Sequence, residues 1–150
     1  VKTIIGNLLE IEHGILGHQT NLYHTMGHGI ARQIAMKWPK VELEYIDYDG
    51  ELGDCQLVQV KPGLLVANLF GQDGIGRNCR KTHYGALSLA LTRLGRHSGD
   101  LDLPVFLPWK MSSDLAGGNW DIVSELIEFL VPAATIVKLP RYDRVTGMPA

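Results

Sequence analysis

The chain has 150 residues, 45% of them hydrophobic and 20% charged, which suits one compact domain and leaves little room for a second. Its 14 basic and 16 acidic side chains give a formal charge of −2, which argues against a protein whose main task is neutralising a nucleic-acid backbone. A small anionic ligand held by backbone amides stays open.

In chain order, residues 2–5 and 14–20 read as extended, with Gly6-Asn7 breaking the first run. Ile30, Ile34 and Trp38, spaced four apart, predict a helix over 29–38 that Pro39 stops. The stretch 41–48 is ambiguous: its alternation suits a strand and its glutamates suit a helix. Residues 55–60 and 64–70 read as strands joined by a Lys61-Pro62-Gly63 turn. A helix is expected over 81–96, with Tyr84, Leu87, Leu91 and Leu94 on one face, followed by a short buried strand at 103–107. Asn119 is a natural N-cap for a helix near 120–131, which Pro132 ends. The last strand is 134–139, and the polar tail 140–150 is expected to be loosely ordered. Strands alternating with helices predict an α/β domain with helices on both faces of a largely buried sheet.

Cys55 and Cys79 fit neither a CxxC redox pair nor a zinc knuckle, so reduced thiols are expected. No apolar run reaches the ~18 residues of a membrane span, and residues 1–6 lack a signal-peptide core. A cytoplasmic protein without a membrane partner is expected. His13, His18, His24 and His28 supply enough donors for zinc, but their spacing matches no usual ligand pattern, and no metal or cofactor is expected.

Two loops place glycines where a strand hands over to a helix: Met26-Gly27-His28-Gly29-Ile30-Ala31, and residues 112–120, SSDLAGGNW. Glycine permits positive φ and close backbone approach, and free amides at a helix start attract anions. Such loops also arise for packing alone. Neither carries a P-loop GKS/GKT ending, a dinucleotide GxGxxG or a Gly-x-Ser-x-Gly elbow.

Further carriers are Gly6-Asn7-Leu8, His18-Gln19-Thr20-Asn21, the strand Ala67-Asn68-Leu69-Phe70-Gly71-Gln72, Leu107-Pro108 and Leu115-Ala116-Gly117-Gly118-Asn119-Trp120. In this order and spacing, from Gly6 to about Leu139, the chain resembles the macro domain, the ADP-ribose-binding module. It is most similar to the branch of the ADP-ribose 1''-phosphate phosphatases and terminal ADP-ribose protein glycohydrolases, with their phage and bacterial homologues. The resemblance implies a three-layer α/β/α fold around a central mixed, mostly parallel sheet.

It also implies roles. Asn7, with Leu8 beside it, stands where relatives place an adenine-binding aspartate; the alternative is a turn residue. Asn21 matches the asparagine that contacts the distal ribose, against a strand-end hydrogen bond as its alternative. Gly27, His28, Gly29 and Ile30 match the loop around the distal ribose and one phosphate. His18 and His28 become candidate catalytic groups, because imidazole exchanges protons near neutral pH. The alternatives are a packed histidine and an exposed loop histidine.

Ser112, Ser113 and Asp114 stand where the family often has Gly-x-Gly. The serines can donate to a phosphate, and Asp114 repels a dianion unless it is protonated, turned away or acting as a base on water. Leu115, Ala116, Gly117 and Gly118 match the diphosphate cradle, although Ala116 replaces the catalytic aspartate of the glycohydrolase. Tyr142 lies where relatives place an aromatic near adenine, against an ordinary surface tyrosine as its alternative. Arg77, Arg80 and Lys81 can reach phosphates or form a solvated helix start.

The resemblance therefore implies an ADP-ribose-binding enzyme that hydrolyses ADP-ribose 1''-phosphate, with His18, His28 and Asp114 as the catalytic set. A non-catalytic reader and a hydrolase that removes ADP-ribose from a modified macromolecule are the alternatives. The partner is the small-molecule ligand, with no nucleic acid expected.

Overall fold

The computed structural model describes residues 1–74, 80–113 and 116–140. The expectations for Arg77, Cys79, Asp114, Leu115, Tyr142 and the tail beyond Pro140 fall outside these residues.

Strands β1 (Lys2–Ile5), β2 (Gly14–Asn21), β3 (Cys55–Lys61), β4 (Leu64–Gln72), β5 (Val105–Pro108) and β6 (Thr135–Lys138) form one sheet in the order β1-β6-β5-β2-β4-β3. Every neighbouring pair is parallel except β3 with β4, which the Lys61-Pro62-Gly63 turn joins as a hairpin. Five strands therefore end at the same edge of the sheet. In an open α/β sheet that edge is where ligands bind.

Alternation along the strands divides the core into two faces. On one, Ile15, Ala67, Leu69, Leu107 and Ile136 pack against Leu87, Leu91 and Leu94 of α3 (Tyr84–Leu101) and Val123 and Ile127 of α4 (Trp120–Leu130). On the other, Val58, Val66 and Phe70 pack against Ile34 of α1 (Gly29–Lys37) and Val41 and Tyr45 of α2 (Pro39–Asp47). The mixed, mostly parallel sheet between two helical layers is the architecture the sequence implied.

Besides shifts of one or two residues at strand ends, three departures from expectation stand out. The ambiguous stretch 41–48 is helical, because Val41 and Tyr45 bury one face four residues apart and Pro39 sits in the first turn of α2. Helix α3 begins at Tyr84 rather than Lys81: Thr82 is bridged to Gln72, and the His83 imidazole caps the helix by accepting from the Ala86 amide at 3.0 Å. It continues past Arg96 through Gly99 and stops where Asp102 turns left-handed, at φ 51. Among the described residues no helix is long and apolar enough to cross a membrane.

Asn119 caps α4 as the sequence suggested, its Oδ1 accepting from the Asp121 amide at 2.8 Å. Substituting Asn119→Ala is expected to lower stability by about 1 kcal/mol, read as an earlier midpoint in chemical denaturation with an unchanged slope. An unmoved midpoint would show that the cap contributes nothing.

Candidate functional site

A cavity of about 1070 Å³ opens along the carboxyl edge of the sheet. Its lining follows the strand order: Gly6 and Asn7 after β1, Lys138 and Leu139 at the end of β6, Pro108 to Ser112 after β5, Gln19 to Asn21 in β2, and Gln72 ending β4. The first turn of α1, with Gly27 and His28 before it, lies against the same space. From β1 to β2 is three strand spacings, about 14 Å at ~4.8 Å each.

The start of α1 is built to receive a negative group. His28 is its N-cap in extended conformation (φ −137), and no side chain caps the helix. Gly29 follows at φ 55, a conformation that L side chains rarely adopt, and no atom lies within 4 Å of where its Cβ would be. First-turn amides have no intrahelical partner, and the helix dipole adds positive potential there. His28 itself is exposed and lines the cavity.

Asn21 also lines the cavity, but its amide is committed to shaping the loop. Its Nδ2 donates to the Thr25 carbonyl and to Thr25 Oγ1, both at 3.1 Å. Its Oδ1 accepts from the Tyr23 amide at 2.8 Å and from the Tyr45 hydroxyl at 2.7 Å. Burial pushes the Tyr45 phenol up to about 12, so it remains a donor. Asn7 is similarly engaged: its Oδ1 accepts from the Leu9 amide at 2.9 Å and caps the 3-10 turn Leu8–Glu10. Leu8 is buried beneath it. For both asparagines the strand-end and turn roles are thus present in the fold.

The loop after β5 is held by a closed ring of hydrogen bonds. Ser112 Oγ donates to Gln19 Oε1 at 2.6 Å, Gln19 Nε2 donates to Thr82 Oγ1 at 3.1 Å, and Thr82 Oγ1 donates to the Ser112 carbonyl at 2.8 Å. The Gly118 amide donates to that carbonyl too, at 2.8 Å, and a Cβ on Gly118 would stand 2.4 Å from it. The Ser113 hydroxyl donates to the Met111 carbonyl at 3.2 Å. Each serine has one hydroxyl proton, and both protons point into the protein. Ser112 and Ala116 line the cavity, whereas Ser113, Gly117 and Gly118 are not among its lining residues.

His18 is not brought to the cavity. It is fully buried on the α1/α2 face of β2, and the strand register sets it beside Asn68, with Gln56 opposite Asn68 on β3. The Glu44 carbonyl can only accept, so Gln56 Nε2 donates to it at 3.1 Å and Gln56 Oε1 takes the Asn68 amide at 3.0 Å. Asn68 Oδ1 must then accept from His18 Nε2–H at 2.6 Å. This direction leaves Nδ1 unprotonated and without a hydrogen-bond partner. Burial outweighs the Asn68 bond and lowers the His18 pKa to about 4.

The other candidate donors are dispersed. Among the described residues no three His, Cys, Asp or Glu side chains come together to hold a metal ion. Arg80 lies over the Tyr84 ring, 4.5 Å from its centroid, and neither Arg80 nor Lys81 lines the cavity. Burial pushes the Cys55 thiol up to about 12, which makes it an unreactive group. The sequence reading did not single out Gln19, Thr20, Gln72, Trp109, Lys110 or Lys138 as lining residues. Their position at the ends of parallel strands was the available signal.

No family model matches the chain, and no curated protein does. Solved structures do. A protein of unknown function from Bacteroides thetaiotaomicron is 25% identical, with a TM-score of 0.83 over 92% of this chain and 96% of its own. The macrodomain protein from Streptomyces coelicolor is 27% identical, with a TM-score of 0.77 over 93% and 98%. The chain has the macrodomain fold. Thermosipho africanus DarTG, solved in complex with ADP-ribose, is 15% identical and superposes with a TM-score of 0.76 over 98% of this chain and 44% of its own. The shared fold covers 93% of this chain, whose cavity lies at the carboxyl edge of its sheet.

The His18 geometry generates a pH prediction. Its folded-state pKa of about 4 lies below the ordinary histidine value of 6.5, so the unfolded chain binds the proton more readily. Its contribution to stability is complete above pH 6.5 and is lost as pH falls from there to about 4. The loss is on the order of 3 kcal/mol. Denaturation midpoints measured across that window should fall less steeply for His18→Gln than for the parent; equal slopes would refute the assignment.

Proposed function

We propose that this macro domain binds ADP-ribose along the cavity and hydrolyses ADP-ribose 1''-phosphate to ADP-ribose and phosphate. The observation that carries the reading is the start of α1, where a helix without a side-chain cap, opened by Gly29, meets a cavity of about 1070 Å³. The ADP-ribose held by the DarTG structure, of the same fold, supports the same ligand class.

In this reading the diphosphate lies between Gly27–Ile30 and the Ser112–Gly118 loop. Adenosine extends toward Asn7 and Leu8, with Tyr142 assigned to it from the resemblance alone, and the distal ribose extends toward Asn21 and His28. Because the hydroxyl protons of Ser112 and Ser113 are turned inward, the second loop contributes shape and backbone there rather than serine donors. Ala116 lines the cavity there, and Leu115 is assigned to the same loop from the resemblance alone.

Hydrolysis needs water to attack phosphorus, the bond from phosphorus to the 1'' oxygen to break, and a proton to reach that leaving oxygen. Among the described lining residues His28 is the one imidazole, and it supplies that proton. Asp114 is assigned to orient the water, from the resemblance alone. His18 holds β2, β3 and α2 together rather than touching substrate.

A reader without turnover is the second reading. It is favoured by the inward serines and by a described lining that contains no carboxylate. Calorimetric titration with ADP-ribose, paired with phosphate release from ADP-ribose 1''-phosphate, separates the two. The expected outcome is saturable binding with release, and a fall in release of about 100- to 10,000-fold in His28→Ala. Release that survives the substitution would remove His28 from the mechanism, and binding without release would favour the reader. No binding of ADP-ribose would overturn both.

A further inference from the structure

The cavity wall beside β5 and β6 carries a feature that ADP-ribose alone leaves without a role. Lys138, the last residue of β6, and Lys110, just past β5, both set their ammonium groups over the ring of Trp109, 4.1 and 4.6 Å from its centroid. All three residues line the cavity. Among the described residues neither ammonium has a carboxylate partner.

The backbone fixes this grouping. The Trp109 amide donates to the Val137 carbonyl at 3.0 Å, which ties the end of β5 to β6. Lys110 is held at φ 59, a conformation uncommon for a residue with a long side chain. Two ammonium groups this close to one ring centroid concentrate positive charge on this part of the wall, which favours an anion beside them.

We propose that Lys110 and Lys138 bind a phosphate ester on the adenosine ribose, so that the preferred ligand is an ADP-ribose with an additional phosphate there. The inference rests on the reading of the cavity as an ADP-ribose site. In that reading adenosine lies toward Asn7, and Lys138 adjoins it because β6 is the hydrogen-bonded neighbour of β1. The diphosphate lies farther along, at α1. A phosphomonoester and a phosphodiester continuing into a chain offer the lysines the same chemistry.

The test is calorimetric titration with ADP-ribose, ADP-ribose 2'-phosphate and an ADP-ribose carrying a nucleotide through a 3'-phosphodiester. Each is measured at low and high salt, on the parent and on the double variant Lys110→Gln, Lys138→Gln. At low salt the 2'-phosphate or the diester is expected to bind on the order of tenfold more tightly than ADP-ribose. That advantage should shrink with salt and collapse to a ratio near one in the double variant. The ligand with the larger advantage identifies a free phosphate or a chain as the source. Equal affinities for all three in the parent, or an advantage that survives in the variant, would overturn the proposal. So would an equal loss for all three in the variant, which would place the lysines on the diphosphate. Those outcomes leave ADP-ribose binding by the parent intact, whereas failure of every ligand to bind the parent would overturn the reading of the cavity as well.

Discussion

The central strand β2 is polar where it should be apolar, and the site depends on how that conflict is resolved. It has β4 on one side and β5 on the other, with a helical layer on each face, yet its second half reads His18-Gln19-Thr20-Asn21. Buried polar side chains destabilise a fold unless they are paired. Here the pairings build the architecture. His18 ties β2 through Asn68 and Gln56 to the backbone of α2, and Gln19 closes the ring that holds Thr82 and Ser112. Asn21 holds the loop leading to α1. One strand thus positions both glycine-bearing loops from between them.

Charge in the cavity is arranged by backbone more than by side chains. The start of α1 offers amides and a dipole, and the only cationic side chains among the described lining residues, apart from His28 when protonated, are Lys110 and Lys138. A net charge of −2 for the whole chain conceals this local polarity. Attraction of an anion at this edge is therefore compatible with a surface that is acidic overall.

Much of the fold was legible because its signals are local. Apolar spacing located every helix but α2, and Asn119 and Pro132 marked the ends of α4. The boundaries that moved were set by distant partners: Gln72 draws Thr82 into a bridge, and burial of Val41 and Tyr45 overrides an alternating pattern. The site was harder to read for the same reason. The spacing of His18 says nothing about which face of β2 it occupies, and only the register with Asn68 and Gln56 turns it inward. Likewise the serine hydroxyls look free in sequence because Gln19, far away along the chain, is what engages Ser112.

The sheet order also has a consequence for how the domain is made. Strand β1 sits at the sheet edge and has β6 as its neighbour, with Lys2 opposite Thr135. During synthesis the first strand therefore waits, unpaired, until nearly the whole domain has been translated. Contacts so distant in sequence form slowly, because the loop between them must close before they can stabilise anything. The Gly6–Asn7 end of the cavity is consequently the last part to mature, and a nascent or truncated chain lacking β6 has no complete binding edge.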